Sequence, residues 1–232
     1  MRILALLLAG LTGCSAGESR LVARLVTPTD IALEWPAGDS TAGGTAGGTA
    51  GGVAGRVVEF ATAERGPYTI LEFLPPERRD YLHPDLIPET TFYYRVRPLH
   101  GPASGTVEVN LPDGDLPDGD LAAEGGQDWL EPRKRPGGPG TPGAAPTDLK
   151  ATVKHANGIA FSWTDRSSDE DGYLLEVRPD GGPYRVAALL EPDVNAFGLI
   201  TLPGEKRAAY RVRSFRYGTA SNVVSRTTGA LR

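Results

Sequence analysis

The sequence predicts an all-β protein built from two tandem antiparallel β-sandwiches joined by a flexible linker. The first observation is an internal repeat, because Leu21 to Trp35 aligns with Leu149 to Trp163, 128 residues later. Apolar residues alternate with other residues in both segments, which is the period of a half-buried strand. No window of useful length has a helical period, so two sheets packed face to face are the simplest solution for each copy.

The repeat continues beyond a glycine-rich insertion. Gly66-Pro67-Tyr68 aligns with Gly182-Pro183-Tyr184, and the offset is now 116 residues. The 12-residue difference matches three Thr-Ala-Gly-Gly units at 41–52, which indicate an expanded loop. The predicted divisions are a leader (1–13), copy one (20–111, with its glycine-rich loop at 38–55), a linker (112–145) and copy two (146–229).

Strands and turns are indicated in a fixed order by several runs: Ala145 to Leu149, Ile159 to Trp163 and Gly172 to Val177 for the first three strands, Leu86 to Arg97 for a turn and the next strand, and Gly218 to Ser225 for the last hairpin. In this order and spacing, the runs resemble the fibronectin type III family. The resemblance covers most of the chain after the leader and implies an immunoglobulin-like sandwich in each copy. The family's corner tyrosine is replaced by Phe92 and Ala208, which removes a hydrogen bond worth about 0.5–1.5 kcal/mol. Pro84 predicts a short or edge strand.

The leader ends in a lipidation motif. Arg2 and the apolar run Ile3 to Gly10 form a secretory signal that is too short to span a bilayer. Leu11 to Cys14 resembles the lipobox of bacterial lipoproteins, which implies cleavage before Cys14 and acylation of its thiol and amine. The alternative is cleavage elsewhere with an incidental cysteine. On the lipobox interpretation, membrane lipid is a partner, and Ser15 favours the outer membrane of the cell envelope if the organism has one.

Composition narrows the possible partners. The formal net charge of −5 argues against nucleic-acid binding, and we expect a monomer. No second apolar stretch is long enough to span a membrane. The linker is rich in Gly, Pro and Asp, so it favours a flexible chain. Trp129-Leu130 is its apolar exception, interpreted as a local contact in preference to a peptide that recruits a partner.

The sequence offers little support for catalysis. Two acidic groups, 113–120 and 165–171, are interpreted as solvated turns rather than calcium loops. The three histidines lack metal-site spacing, so neither a metal nor another cofactor is expected. Trp35 and Trp163 are predicted to pack in the cores. The paired arginines of Tyr94 to Arg97 and Tyr210 to Arg213 are predicted to face solvent and to pair weakly with Glu59 and Glu176.

We therefore expect a non-enzymatic, membrane-anchored protein that binds, spaces or displays at the cell envelope. The alternative is an accessory subunit of an envelope polysaccharide or peptide hydrolase, or the hydrolase itself, which would need paired acids in a cleft. Turns that join strands of a sandwich segregate to its two ends. The far end of copy two is therefore the candidate surface for a protein or polysaccharide partner, with Asn157, Asp180 and Lys206 as candidate residues.

Overall fold

The structure confirms the all-β prediction. A computed structural model describes residues 20–36, 52–112, 128–135, 140–202 and 205–230. The elements in these ranges are fourteen strands and one 3-10 turn. Within the same ranges, no helix is long and apolar enough to cross a bilayer. Cys14 and the Thr-Ala-Gly-Gly units up to residue 51 lie outside the described residues.

Each copy contributes seven strands. Copy one supplies β1 (Val22–Thr27), β2 (Asp30–Glu34), β3 (Val53–Ala61), β4 (Thr69–Leu74), β5 (Asp80–His83), β6 (Thr91–His100) and β7 (Val107–Asn110). Copy two supplies β8 (Thr147–His155), β9 (Gly158–Thr164), β10 (Gly172–Pro179), β11 (Arg185–Leu190), β12 (Ala196–Ile200), β13 (Arg207–Tyr217) and β14 (Val224–Thr227). Two three-stranded sheets, β1-β2-β5 and β8-β9-β12, belong to one copy each.

The remaining strands form a single sheet that runs through both copies in the order β11-β10-β13-β6-β3-β4. Each three-stranded sheet faces its own part of this long sheet, and the inward residues of both make a separate core for each copy. Trp35 and Trp163 lie buried in these two cores, which confirms their predicted packing role. β5 ends at His83, directly before Pro84, and it is the edge strand of its sheet.

The last strand of each copy pairs with the other copy. β7 follows β6 in sequence, yet it pairs with β13, and Val107 lies opposite Tyr210. β14 follows β13, yet it pairs with β6, and Val224 lies opposite Tyr94. The sequence repeat divides the chain into 20–111 and 146–229. It does not predict this reciprocal exchange of β7 and β14.

Equivalent hydrogen bonds hold both exchanged segments in place. The amide of Val212 donates to Ser104 Oγ at 3.0 Å, and the amide of Val96 donates to Ser221 Oγ at 3.0 Å. Val109 and Leu111 of copy one enter the core of copy two. The two copies thus complete each other's sandwiches and cannot separate without opening both cores.

The copies meet where β6 and β13 end. The two strands run antiparallel and pair only at His100 with Arg216 and at Leu99 with Tyr217. A third apolar cluster forms at this junction from Val57, Leu99, Leu174 and Phe215. Because the two strands overlap only at their C-terminal ends, their N-terminal ends and the turns beside them point away from each other.

The predicted arginine–glutamate pairs are present, but the prediction that they face solvent is wrong. Glu59 and Glu176 are only 5% and 7% exposed. Glu59 accepts from Arg95 at 2.5 Å and from Arg97 at 3.2 Å. Glu176 is bound in the same way by Arg211 and Arg213. Glu59 and Glu176 are buried because the face of the long sheet that carries these pairs turns toward the other copy at the junction.

The described part of the linker is held against copy two. The amide of Arg133 donates to the carbonyl of Ala196 at 2.9 Å, so the linker extends the edge of the β8-β9-β12 sheet. The ring of Trp129 lies 5.5 Å from the ring of His155. The interpretation of Trp129-Leu130 as a local contact is confirmed. Within the linker, which the sequence predicts to be flexible or partly extended, 128–135 is held at the edge of this sheet.

Candidate functional site

The end of copy two predicted to carry a partner site is here called the copy-two tip. It comprises the described residues of three turns, at 155–158, at 179–184 and at 201–202 with 205–207. The amide of Thr201 donates to the Asn157 carbonyl at 2.8 Å, which joins the first turn to the third. The amide of Asp180 donates to the Arg207 carbonyl at 3.4 Å, which joins the second turn to the third. Backbone hydrogen bonds therefore fix the relative positions of all three turns.

The three candidate residues differ in how available they are. Asn157 and Asp180 are exposed. Asp180 has a positive φ of 44°, a left-handed conformation that Asp tolerates better than most side chains. Lys206 is half-buried, and its ammonium donates to the Pro112 carbonyl at 3.1 Å. The structure thus brings the three residues to one end of copy two, but Lys206 also helps to hold the start of the linker.

The tip rests on a buried carboxylate. The side chain of Glu205 is 5% exposed, where it accepts from the Leu202 amide at 2.8 Å and pairs with Arg185. The Leu202 side chain itself is 59% exposed. This arrangement presents an apolar residue and polar turn residues on a fixed base, which suits recognition of a partner surface.

The acidic group at 165–171 has structural partners instead of solvent alone. Asp165 accepts from the Ser167 amide at 2.9 Å and from the Tyr173 hydroxyl. Burial, followed by this hydrogen bond, raises the pKa of Tyr173. Asp169 accepts from the Gly143 amide at 2.7 Å, and this bond is the first cause of the lowered pKa of Asp169. Asp169 thus fastens the end of the linker to copy two, and Asp165 stabilises its own turn. Asp169 and Asp171 are exposed, as the interpretation as a solvated turn predicts, whereas Asp165 is half-buried.

One group of potential metal ligands occurs among the described residues. Carboxylate oxygens of Asp165, Glu170 and Asp193 lie within 4.8 Å of one another. Asp165 and Glu170 are already acceptors, from Tyr173 and from the Asp193 amide at 3.2 Å. We therefore treat the group as part of the turn architecture.

The histidines do not converge. His83 lies on β5, where its Nδ1 is hydrogen-bonded to the Tyr94 hydroxyl at 3.1 Å. Burial lowers the pKa of His83, so the neutral ring is favoured there. His155 contacts Trp129 in copy two, and His100 lies at the end of β6. The three histidines therefore do not lie together as a catalytic group of nucleophile, general base and general acid.

Comparisons with known proteins identify only distant structural likenesses. The sequence matches no protein-family model and no curated protein. A two-domain fibronectin type III segment of chicken tenascin shares 15% identity, with 89% of this chain and 95% of that one covered and a TM-score of 0.29. The FN1-FN3 domains of chicken CNTN1 share 16% identity, with 91% and 66% coverage and a TM-score of 0.28. With scores this low, the fold is assigned from the chain's own strands and pairing.

Proposed function

We propose that the protein is a non-catalytic binding or display module of the cell envelope whose partner surface is the copy-two tip. The observation that carries this proposal is the direct hydrogen bonding of its three turns, which makes one rigid surface from distant parts of the sequence. The strand exchange supports it, because a sandwich locked to its neighbour presents its loops in a fixed orientation. Preorganised surfaces lose less entropy on binding.

We further propose that acylated Cys14 holds the protein to a membrane, with membrane lipid as the partner at that end. Only Ser15 to Ser19 separate Cys14 from Arg20, where the described chain begins. More than one acyl chain on a single residue gives durable anchoring. Export to the envelope follows from the leader, and the outer membrane is the proposed location in a two-membrane bacterium. Conversion of Cys14 to Ser should release the protein into the soluble fraction or leave an uncleaved precursor.

The hydrolase alternative requires two carboxylates that face a substrate across a cleft. Glu59 and Glu176 are instead each held by two arginines and are almost fully buried. No described feature therefore favours the hydrolase over the binding module.

A pull-down from membranes tests the tip. The double variant Asn157→Ala/Asp180→Asn removes the Asn157 amide and the charge of Asp180, and it keeps a residue that tolerates positive φ at position 180. Lys206 is added as Lys206→Ala only in a third variant, because its bond to Pro112 is structural.

The matched control is Thr29→Ala/Glu64→Ala, at the equivalent turns of copy one. We expect the double variant to recover at least tenfold less partner and the control to recover wild-type amounts. Equal recovery by the folded double and triple variants would contradict the proposal.

A further inference from the structure

Arg56 of copy one is a buried cation whose hydrogen-bond acceptor is a backbone carbonyl. The residue is 6% exposed, and its guanidinium donates to the Pro76 carbonyl. Arg79 donates to that same carbonyl, so two guanidiniums share one acceptor. Within the described ranges, no carboxylate forms an ion pair with either arginine. Burial and then the charge of Arg79 lower the pKa of Arg56. Buried charges are ordinarily paired because their desolvation is costly.

Arg56 lines a pocket at the entry end of copy one, the end at which Leu21 leads into β1. The pocket has a volume of about 300 Å³, at the lower limit of the range for small-molecule sites. Its walls are mostly apolar and include Leu21, Trp35, Val53, Val96 and Pro98. The Nε1 of Trp35 is buried and has no hydrogen-bond partner. The Nε1 of Trp163 in copy two is also buried without a partner, so this donor does not mark the pocket. What distinguishes the pocket is the combination of apolar walls with a buried cation.

The strand exchange creates one side of this pocket. Residues 219–221, which precede β14, come from copy two and complete the wall beside Pro98. Neither copy alone contains the whole pocket.

Copy two shows how the same end is closed by the chain itself. The position equivalent to Arg56 is Tyr173, whose hydroxyl donates to Asp165. Residues 140–144 cover this end, and Ser214 Oγ, equivalent in position to Pro98, donates to the Ala144 carbonyl at 2.9 Å. The polar group at the rim of copy two therefore has a side-chain acceptor, whereas among the described residues Arg56 has the Pro76 carbonyl as its acceptor and lines the pocket.

We propose that the entry pocket of copy one binds an amphipathic anion, namely a medium-chain carboxylate. Its carboxylate pairs with Arg56, while its hydrocarbon chain lies against Leu21, Val53 and Val96. Charge complementarity selects an acid over a neutral amphiphile, and the volume selects a medium chain over a long one. This binding site is separate from the copy-two tip and does not depend on the proposed anchor.

The experiment uses decanoate as the ligand and the mature chain with Cys14→Ser as the protein. The substitution prevents acylation, so no acyl chain of the protein itself can enter the pocket. Titration calorimetry and thermal unfolding are measured with decanoate, decanol and acetate. A ligand that binds the folded state raises the melting temperature. We expect decanoate to bind, decanol to bind at least tenfold more weakly, and acetate to have no measurable effect. Absence of decanoate binding, or equal binding of decanol, would overturn the proposal.

Substitutions locate the site. Arg56→Met should weaken the binding of decanoate at least tenfold. The melting temperature of this variant without ligand should equal or exceed that of wild type, because a buried charge is removed. Arg56→Lys should retain binding within tenfold, which provides a second variant if the Met variant folds poorly. Wild-type affinity for decanoate in Arg56→Met would show that decanoate binds elsewhere and would refute the assignment.

Discussion

At the entry end of copy two, a tyrosine and an aspartate are hydrogen-bonded to each other, whereas the described residues of copy one form a pocket lined by a buried cation there. Tyr173 and Asp165 satisfy each other in copy two beneath residues 140–144. In copy one the equivalent rim position is Arg56, with only a carbonyl as its partner. The two sandwiches share strand order and core positions, so among the described residues the difference lies in one side chain. Two copies of one fold can therefore carry different chemistry at the same position.

The largest expected effect comes from removal of the exchanged strand. A chain truncated after Tyr217 lacks β14, which belongs to copy two by sequence but completes copy one in the structure. We expect copy one to unfold, with loss of hydrogen-exchange protection at Tyr94 and Val96, while amides of β9 and β10 stay protected. Removal of residues 231–232 alone is the control and should change neither. Loss of protection confined to copy two would show that β14 pairs within its own copy.

The two glycines that precede the exchanged segments, Gly101 and Gly218, are here called the hinges. Substitution by Ala should reduce the stability of the protein unequally at the two positions. A Cβ at Gly101, where φ is 143°, would lie 2.0 Å from the backbone oxygen of Ser214. A Cβ at Gly218 would meet side-chain atoms of Pro98 and His100 at 2.6 and 2.8 Å. Backbone yields less readily than side chains, so Gly101→Ala should cost about 4 kcal/mol of unfolding free energy and Gly218→Ala about 2.

Urea denaturation measures both hinge variants. Gly105→Ala is the control, since a Cβ there meets nothing within 4 Å. Equal costs at all three glycines would contradict the close approach at the hinges.

The two buried carboxylates provide a finer comparison. Glu176→Gln leaves Arg213, whose side chain is 11% exposed, without its anion, and Glu59→Gln leaves Arg97, which is 26% exposed. A charge left unpaired costs more when it is less hydrated. We expect losses of about 3 kcal/mol for Glu176→Gln and about 2 kcal/mol for Glu59→Gln. Glu108→Gln, at a pair whose glutamate side chain is 68% exposed, should cost less than about 0.5 kcal/mol.

The smallest expected effect is the response of copy one to acid. Burial lowers the pKa of His83 in the folded state, so below about pH 6.5 the unfolded chain binds more protons there than the folded chain. Stability from this residue is therefore complete above that pH and declines as pH falls. The equivalent position in copy two is Leu199, which does not titrate. The variant His83→Leu should flatten the stability curve between pH 7.5 and 5.5, and an unchanged slope would contradict a neutral, buried His83.

The sequence by itself determined the repeat, the strands and much of the core. The alternation around Trp35 and Trp163 was sufficient to place both side chains inside, since a strand has only two faces. The same alternation placed Arg95 and Arg211 on the opposite face from the core, opposite their glutamate partners. The apolar pair Trp129-Leu130 could be recognised as a contact because its surroundings are polar.

Only the tertiary structure decided which copy receives each last strand. The apolar alternation of β7 fits the edge of β6 and the edge of β13 equally, because both copies offer the same pattern to a partner strand. The apolar residues of this segment are Val107, Val109 and Leu111. The choice depends on the junction, where β6 and β13 meet and direct the following segments outward. Burial of Glu59 and Glu176 follows from that junction, as does the pocket beside Arg56. Pairing between distant strands has no local signal in the sequence, since it depends on which edges meet after the sheets have formed.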